Sequence, residues 1–119
     1  MQLKHMNLCV SDVLATRDFF VNHFDFTAVS EQRSDAFSIL ADESGFSLVI
    51  MKAKPEVQVV YPGSFHIGFI VQHVDDVSLQ RDRLVEADYT PTDIMHVRRA
   101  TMFYCNGPDD LLIEVCAND

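Results

Sequence analysis

The chain has 119 residues, nine basic against eighteen acidic, and a formal net charge of −9. That length suits one domain burying roughly two thirds of the surface its unfolded form exposes, so a sizeable core is available without disulfides. The acidity argues against nucleic acid and membrane as partners, because both depend on Lys and Arg displacing counterions.

The first element is a strand. From Leu3 to Val10 the residues alternate, with Met6, Leu8 and Val10 on an apolar face and His5, Asn7 and Cys9 on a more polar one. Asp12 is placed to cap a helix running from Val13 to Phe24, in which Val13, Phe20 and Phe24 fall at helical spacing. The helix should stop near Asp25, a residue that tolerates the left-handed conformation of a helix end. Strands are expected over 27–31, 36–41 and 46–51. Residues 55–63, with Pro55, Pro62 and Gly63, form a connector, although Val57 to Tyr61 has enough β-branched character to pair briefly.

The second half repeats the order. Phe65, Ile67, Phe69 and Val71 point one way and His66, Gly68 and Ile70 the other. Asp75 or Asp76 then caps a helix through Ala87 with Val77 and Leu84 turned inward, and strands follow over 90–94, 100–105 and 111–116. Asn106 to Asp110 is a turn cluster before the last strand. The halves also match residue by residue: Asp25-Phe26-Thr27 recurs as Asp88-Tyr89-Thr90, Arg17-Asp18 as Arg81-Asp82, and His5 as His66. Each half is therefore read as βαβββ, about 1–54 and 64–119. The fold class is α+β, with two modules pairing their sheets into a curved mixed sheet around a cup and their helices outside.

Parity decides which side chains meet. On the last strand Leu112, Glu114 and Cys116 share one face, while Ile113 and Val115 face a helix. In the repeat register Glu114 stands where the first half has Val49. His5, His66 and Glu114 are thus left at repeat-related positions on the cup side. A buried carboxylate needs a partner, and two imidazoles with one carboxylate suit Fe²⁺, Mn²⁺, Zn²⁺ or Ni²⁺ with coordination positions left open.

The segments His5-Met6-Asn7-Leu8-Cys9-Val10-Ser11-Asp12, Arg17-Asp18-Phe19-Phe20, Phe65-His66-Ile67-Gly68-Phe69 and Phe103-Tyr104, with Pro108-Asp109 and Leu112-Ile113-Glu114-Val115, resemble the vicinal oxygen chelate superfamily over essentially the whole chain. That superfamily includes glyoxalase I, bleomycin-resistance proteins, extradiol dioxygenases and fosfomycin-resistance enzymes. The resemblance puts its metal-ligand positions on His5, Val49, His66 and Glu114. Val49 cannot ligate, which leaves the three-ligand set His5, His66 and Glu114. Asp25, Asp88 and Asp110 replace glycines common in the family.

Arg98 and Arg99 precede the Tyr104 strand, where the family often aims a substrate-contacting side chain, and an arginine there clamps a carboxylate or phosphonate bidentately. Asn7, Cys9 and Tyr104 complete the expected substrate-binding set. Cys9 and Cys116 share the ligand-bearing face, as reactive thiols or as small fillers, and His96 is a candidate acid or base at the rim. The resemblance implies one divalent metal, a small-molecule substrate with two adjacent oxygens, Glu114 as catalytic base and ligand, and a homodimer. The alternative is a metal-free, bleomycin-resistance-like protein sequestering a cationic small molecule, for which the −9 charge speaks. Three cysteines, Cys9, Cys105 and Cys116, odd in number and without a CxxC pair, and the lack of a signal-like start at Met1 lead us to expect a cytoplasmic protein.

Overall fold

The computed structural model describes residues 1–30 and 33–118. The chain divides into two compact units, Met1–Val60 and Tyr61–Asp119, and the boundary falls inside the predicted connector. Both βαβββ modules are present, and the fold class is α+β as read from the sequence.

In the first unit β1 (His5–Val10) leads into α1 (Val13–His23), followed by β2 (Thr27–Ala28), β3 (Phe37–Ala41) and β4 (Ser47–Lys52). The sheet order is β1-β4-β3-β2, with β1 parallel to β4 and the other pairs antiparallel. Asp12 is the predicted cap, its side chain accepting from the Ala15 amide at 3.0 Å. One face of the sheet carries α1, and Leu8, Val10, Leu40, Leu48 and Ile50 are buried there with Val13, Phe19 and Phe20 of the helix. Phe20 is fully enclosed, its ring 5.8 Å from Phe26 and 5.1 Å from Phe19 in edge-on contacts. Burying a side chain of that size contributes about 2–3 kcal/mol. The other face exposes His5, Asn7 and Cys9 beside Phe37, Ile39 and Met51. The strand predicted over 27–31 is shorter here, and its last predicted residue, Glu31, lies outside the described residues.

The second unit repeats the plan with β5 (His66–Ile70), α2 (Val74–Glu86), β6 (Met95–Val97), β7 (Ala100–Asn106) and β8 (Leu112–Asn118), in the order β5-β8-β7-β6. The helix packs on β7 and β8, and Val77, Leu84, Phe103, Ile113 and Val115 are almost wholly buried. Both helices end on an aspartate with positive φ, Asp25 at 58° and Asp88 at 68°. At α2 the Asp88 amide donates to the Val85 carbonyl and the Tyr89 amide to Leu84, which is the Schellman closure of a helix end. The repeated Arg-Asp pair has separate tasks in the two units. Arg17 and Arg33 both bond Asp18, whereas Arg81 donates its Nε to the Thr92 carbonyl at 2.7 Å.

Three expectations are corrected. The residue at the N-cap of α2 is His73, which makes no side-chain cap bond, and Asp75 and Asp76 lie in the first turn, where their charge meets the positive helix end. No strand forms over 90–94. Pro91 has no amide to give, and the strand forms later at Met95–Val97, folded back on β7 by a two-residue turn. Val57 to Tyr61 forms no strand, bracketed as it is by Pro55 and Pro62.

Candidate functional site

The second unit gathers three of the expected residues at one place. Pro62, Gly63 and Ser64 turn the chain into β5, with the Phe65 amide closing on the Pro62 carbonyl at 2.9 Å. This sets the Ser64 carbonyl 3.1 Å from Nδ1 of His66. A carbonyl only accepts, so Nδ1 carries the hydrogen, and in the neutral ring the lone pair is on Nε2. Nε2 faces Oε2 of Glu114 at 3.5 Å.

Glu114 sits on β8 between two partners. Its Cα neighbour on β5 is Gly68 and its Cα neighbour on β7 is Tyr104. The Tyr104 hydroxyl donates to Oε2 at 2.7 Å, and the Tyr104 ring stands edge-on to His66 with centroids 6.0 Å apart. That hydrogen bond, then burial and the charges of Glu114 and Cys116, push the Tyr104 phenol above its ordinary 10.0, so it stays a donor at neutral pH. Gly68 puts no side chain against the other carboxylate oxygen: a Cβ there would lie 3.9 Å from Oε1.

The Glu114 side chain is 16% exposed and that of His66 41%. Two lone pairs facing each other across 3.5 Å repel unless a positive group lies between them, either a proton or a metal cation. Imidazole nitrogen with carboxylate oxygen is a donor set for a first-row divalent ion. A carbonyl on the remote ring nitrogen and a hydrogen bond to the carboxylate are the outer contacts such ligands ordinarily have. His66 and Glu114 are thus two donors of the types that suit such an ion. Among the described residues, no group of three or more His, Cys, Asp or Glu side chains is gathered as a ligand set.

The other expected residues are distributed as follows. His5 opens β1 in the first unit, exposed, with Asn7 and Cys9 following on the same face. Asn7 Nδ2 lies 3.1 Å from the Met51 sulfur. Arg98 and Arg99 are exposed and form the turn between β6 and β7, both with positive φ, 50° and 66°. His96 contacts the buried Thr101 hydroxyl through Nδ1 at 2.9 Å. Cys116 is buried, whereas Cys9 is exposed. Sequence reasoning missed Ser64 and Gly68 as parts of the site. The signal for both was present, in a turn cluster immediately before the histidine strand and a side-chain-free residue two positions after the histidine.

A family model for the glyoxalase, bleomycin resistance protein and dioxygenase superfamily matches residues 2–115. The chain belongs to that superfamily. A solved structure of a possible glyoxalase from Bacillus cereus is 37% identical, with 97% of each chain covered and a TM-score of 0.85. The fosfomycin resistance protein FosX from Listeria monocytogenes shares the fold at 20% identity, over 100% of this chain and 94% of that one, with a TM-score of 0.80. TnmS3, an antibiotic binding protein from a Streptomyces, shares it at 21% identity, over 100% of this chain and 97% of that one, with a TM-score of 0.75. No curated protein matches the chain. Within the superfamily, then, the neighbours span enzymes and ligand-binding proteins. No helix among the described residues is long and apolar enough to cross a membrane.

Proposed function

We propose that this member of the glyoxalase and dioxygenase superfamily is a small divalent-metal-dependent enzyme acting on a substrate that chelates through two adjacent oxygens. The observation that carries the reading is the opposed pair: Nε2 of His66, its lone pair set by the Ser64 carbonyl, faces Oε2 of Glu114 at 3.5 Å. His66 and Glu114 supply two ligands, and His5 is the third by sequence register and by the family's ligand positions. A FosX variant from Listeria has been solved with Mn(II) and a dihydroxypropylphosphonic acid, which shows that the fold accommodates such a pairing elsewhere.

When bound, the cation supplies Lewis-acid polarisation of a substrate oxygen. The protein's own part follows from the two oxygens of Glu114. Oε2 is occupied by Tyr104 and turned toward His66, while Oε1 is turned toward Gly68 and is the oxygen at which Glu114 accepts or returns a substrate proton. Arg98 and Arg99, in an acidic chain, give an anionic substrate a local positive group. A cytoplasmic homodimer belongs to the same reading.

The competing reading is a metal-free protein that sequesters a cationic ligand. It draws on the −9 charge and on an apolar groove of about 200 Å³ lined by Val29, Phe37, Ile39 and three serines. The enzyme reading is preferred, because a metal-free sequestering protein has no use for an imidazole nitrogen set against a carboxylate oxygen.

Elemental analysis of untagged protein, followed by Mn²⁺ titration of wild type, His5→Ala, His66→Ala and Glu114→Ala, tests it. One equivalent of metal, with affinity largely lost in each variant, is expected. Absence of metal binding by the wild type, with tight binding of bleomycin-like cations, would replace the enzyme with a sequestering protein. Hemithioacetals, catechols, epoxides and acyl-CoA thioesters, each assayed with Mn²⁺, Fe²⁺, Ni²⁺ and Zn²⁺, cover the reaction classes open to such a site.

A further inference from the structure

We propose that Tyr104 is the positioning residue of this site, fixing the rotation of the Glu114 carboxylate so that Oε2 is presented to His66 and Oε1 is left toward Gly68. The inference rests on the metal-dependent reading for its consequence, but its geometric basis is separate.

The two sheets have the same register. Asn7, Val49 and Ile39 are neighbours across β1, β4 and β3, as Gly68, Glu114 and Tyr104 are across β5, β8 and β7. His5 lies two residues before Asn7 and His66 two before Gly68. The repeat thus keeps the histidine in both units and changes all three ladder positions, Asn7 to Gly68, Val49 to Glu114 and Ile39 to Tyr104. Where the carboxylate becomes valine, the phenol facing it becomes isoleucine. A tyrosine serving only to fill space has no reason to follow the carboxylate, whereas a donor whose task is to hold that carboxylate does.

Tyr104 is itself held at three points. Its amide donates to Oγ1 of Thr92 at 3.0 Å, and its carbonyl accepts from the Thr92 amide at 2.8 Å. The Thr92 carbonyl in turn accepts Nε of Arg81 at 2.7 Å. Arg81, on α2, therefore anchors the segment that clamps Tyr104, and the hydroxyl at the far end of the ring meets Oε2 of Glu114 at 2.7 Å. This is the arrangement by which outer residues orient a ligand, and removal of such a partner usually weakens metal binding by about 10- to 100-fold.

The test is Tyr104→Phe, which keeps the ring against His66 and removes only the hydroxyl. Mn²⁺ affinity, read from the free-ion EPR signal, is expected to fall at least tenfold with an unchanged circular dichroism spectrum. In a Glu114→Gln background, the same change should have no further effect on residual affinity. A merely structural tyrosine would weaken both backgrounds equally, and that result, or unchanged affinity in Tyr104→Phe, would overturn the assignment. If the wild type binds no Mn²⁺, the metal reading fails by itself. The positioning role is then decided by a urea double-mutant cycle of Tyr104→Phe and Glu114→Gln in the metal-free protein, where non-additive effects uphold it and additive effects overturn it.

Discussion

The hydroxyl of Tyr104 and Oε2 of Glu114 are joined by a 2.7 Å hydrogen bond between residues that are direct partners in the β7 and β8 ladder. A phenol that gives its hydrogen to a carboxylate resists ionisation, and burial acts in the same direction.

An alkaline stability profile follows from this. The folded pKa of Tyr104 is raised, so its contribution is fully present below the ordinary tyrosine value of 10.0 and is lost as pH rises through the higher folded value. Urea midpoints of wild type and Tyr104→Phe should differ at neutral pH and converge above pH 10.0. A gap that stays constant into that range would contradict the assigned bond.

Gly68 sets how much of Glu114 is reachable. A Cβ at Gly68 makes an ordinary contact with Oε1, so Gly68→Ala should fold normally and gain about 0.5 kcal/mol from reduced backbone freedom. Gly68→Val adds methyl groups over Oε1, and activity should drop at least about tenfold while the fold and the metal affinity stay intact. Denaturation curves beside metal titration and activity assays of both variants would check this.

The aspartates with positive φ carry a small backbone cost. Glycine at Asp25, Asp88 or Asp110, whose φ values are 58°, 68° and 56°, should be neutral to stabilising by up to about 1 kcal/mol. Valine at Asp88 should destabilise by about 1–2 kcal/mol, because a β-branched residue is least tolerated there. Thermal or urea unfolding distinguishes the two directions.

The Arg98-Arg99 turn is a sharper case. A two-residue hairpin with positive φ at both positions favours Asn-Gly, and each arginine there is held at a cost of about 1 kcal/mol. Arg98→Asn with Arg99→Gly should therefore raise stability while raising KM for an anionic substrate much more than it lowers kcat. A stabilised variant with unchanged KM would remove the arginines from substrate binding.

The sheet of the first unit offers a reconstruction. Val49→Glu alone introduces a carboxylate without its donor, whereas Val49→Glu with Ile39→Tyr restores both partners in matched register. The double variant should be more stable than the sum of the single changes by about 1 kcal/mol. Additivity in urea unfolding would show that register alone is insufficient.

Much of this was legible in the chain. Alternation in β1 and β8 was enough to put His5 and Glu114 on the sheet faces away from the helices, and Asp12, Asp25 and Asp88 declared the helix ends through side-chain chemistry. The β6 and β7 hairpin was not legible, because Arg-Arg is no turn signal and the φ values at Arg98 and Arg99 are imposed by pairing from Met95 to Met102. Thr92 was misread as strand because its bonds to Tyr104 and Arg81 depend on residues distant in sequence. The tyrosine-carboxylate bond was hidden for the same reason: parity shows which face a residue occupies, and only the ladder shows which residue stands opposite.

The matched ladders also give the molecule an internal reference. Val49 and Ile39 occupy, in the same protein and under the same solvent, the positions that Glu114 and Tyr104 occupy in the other sheet. A probe placed at equivalent sites in both units, whether an isotope label on the paired histidines or an amide followed by hydrogen exchange, reports strand mechanics common to the two as a shared signal. What remains after subtraction is the part that belongs to the chemistry.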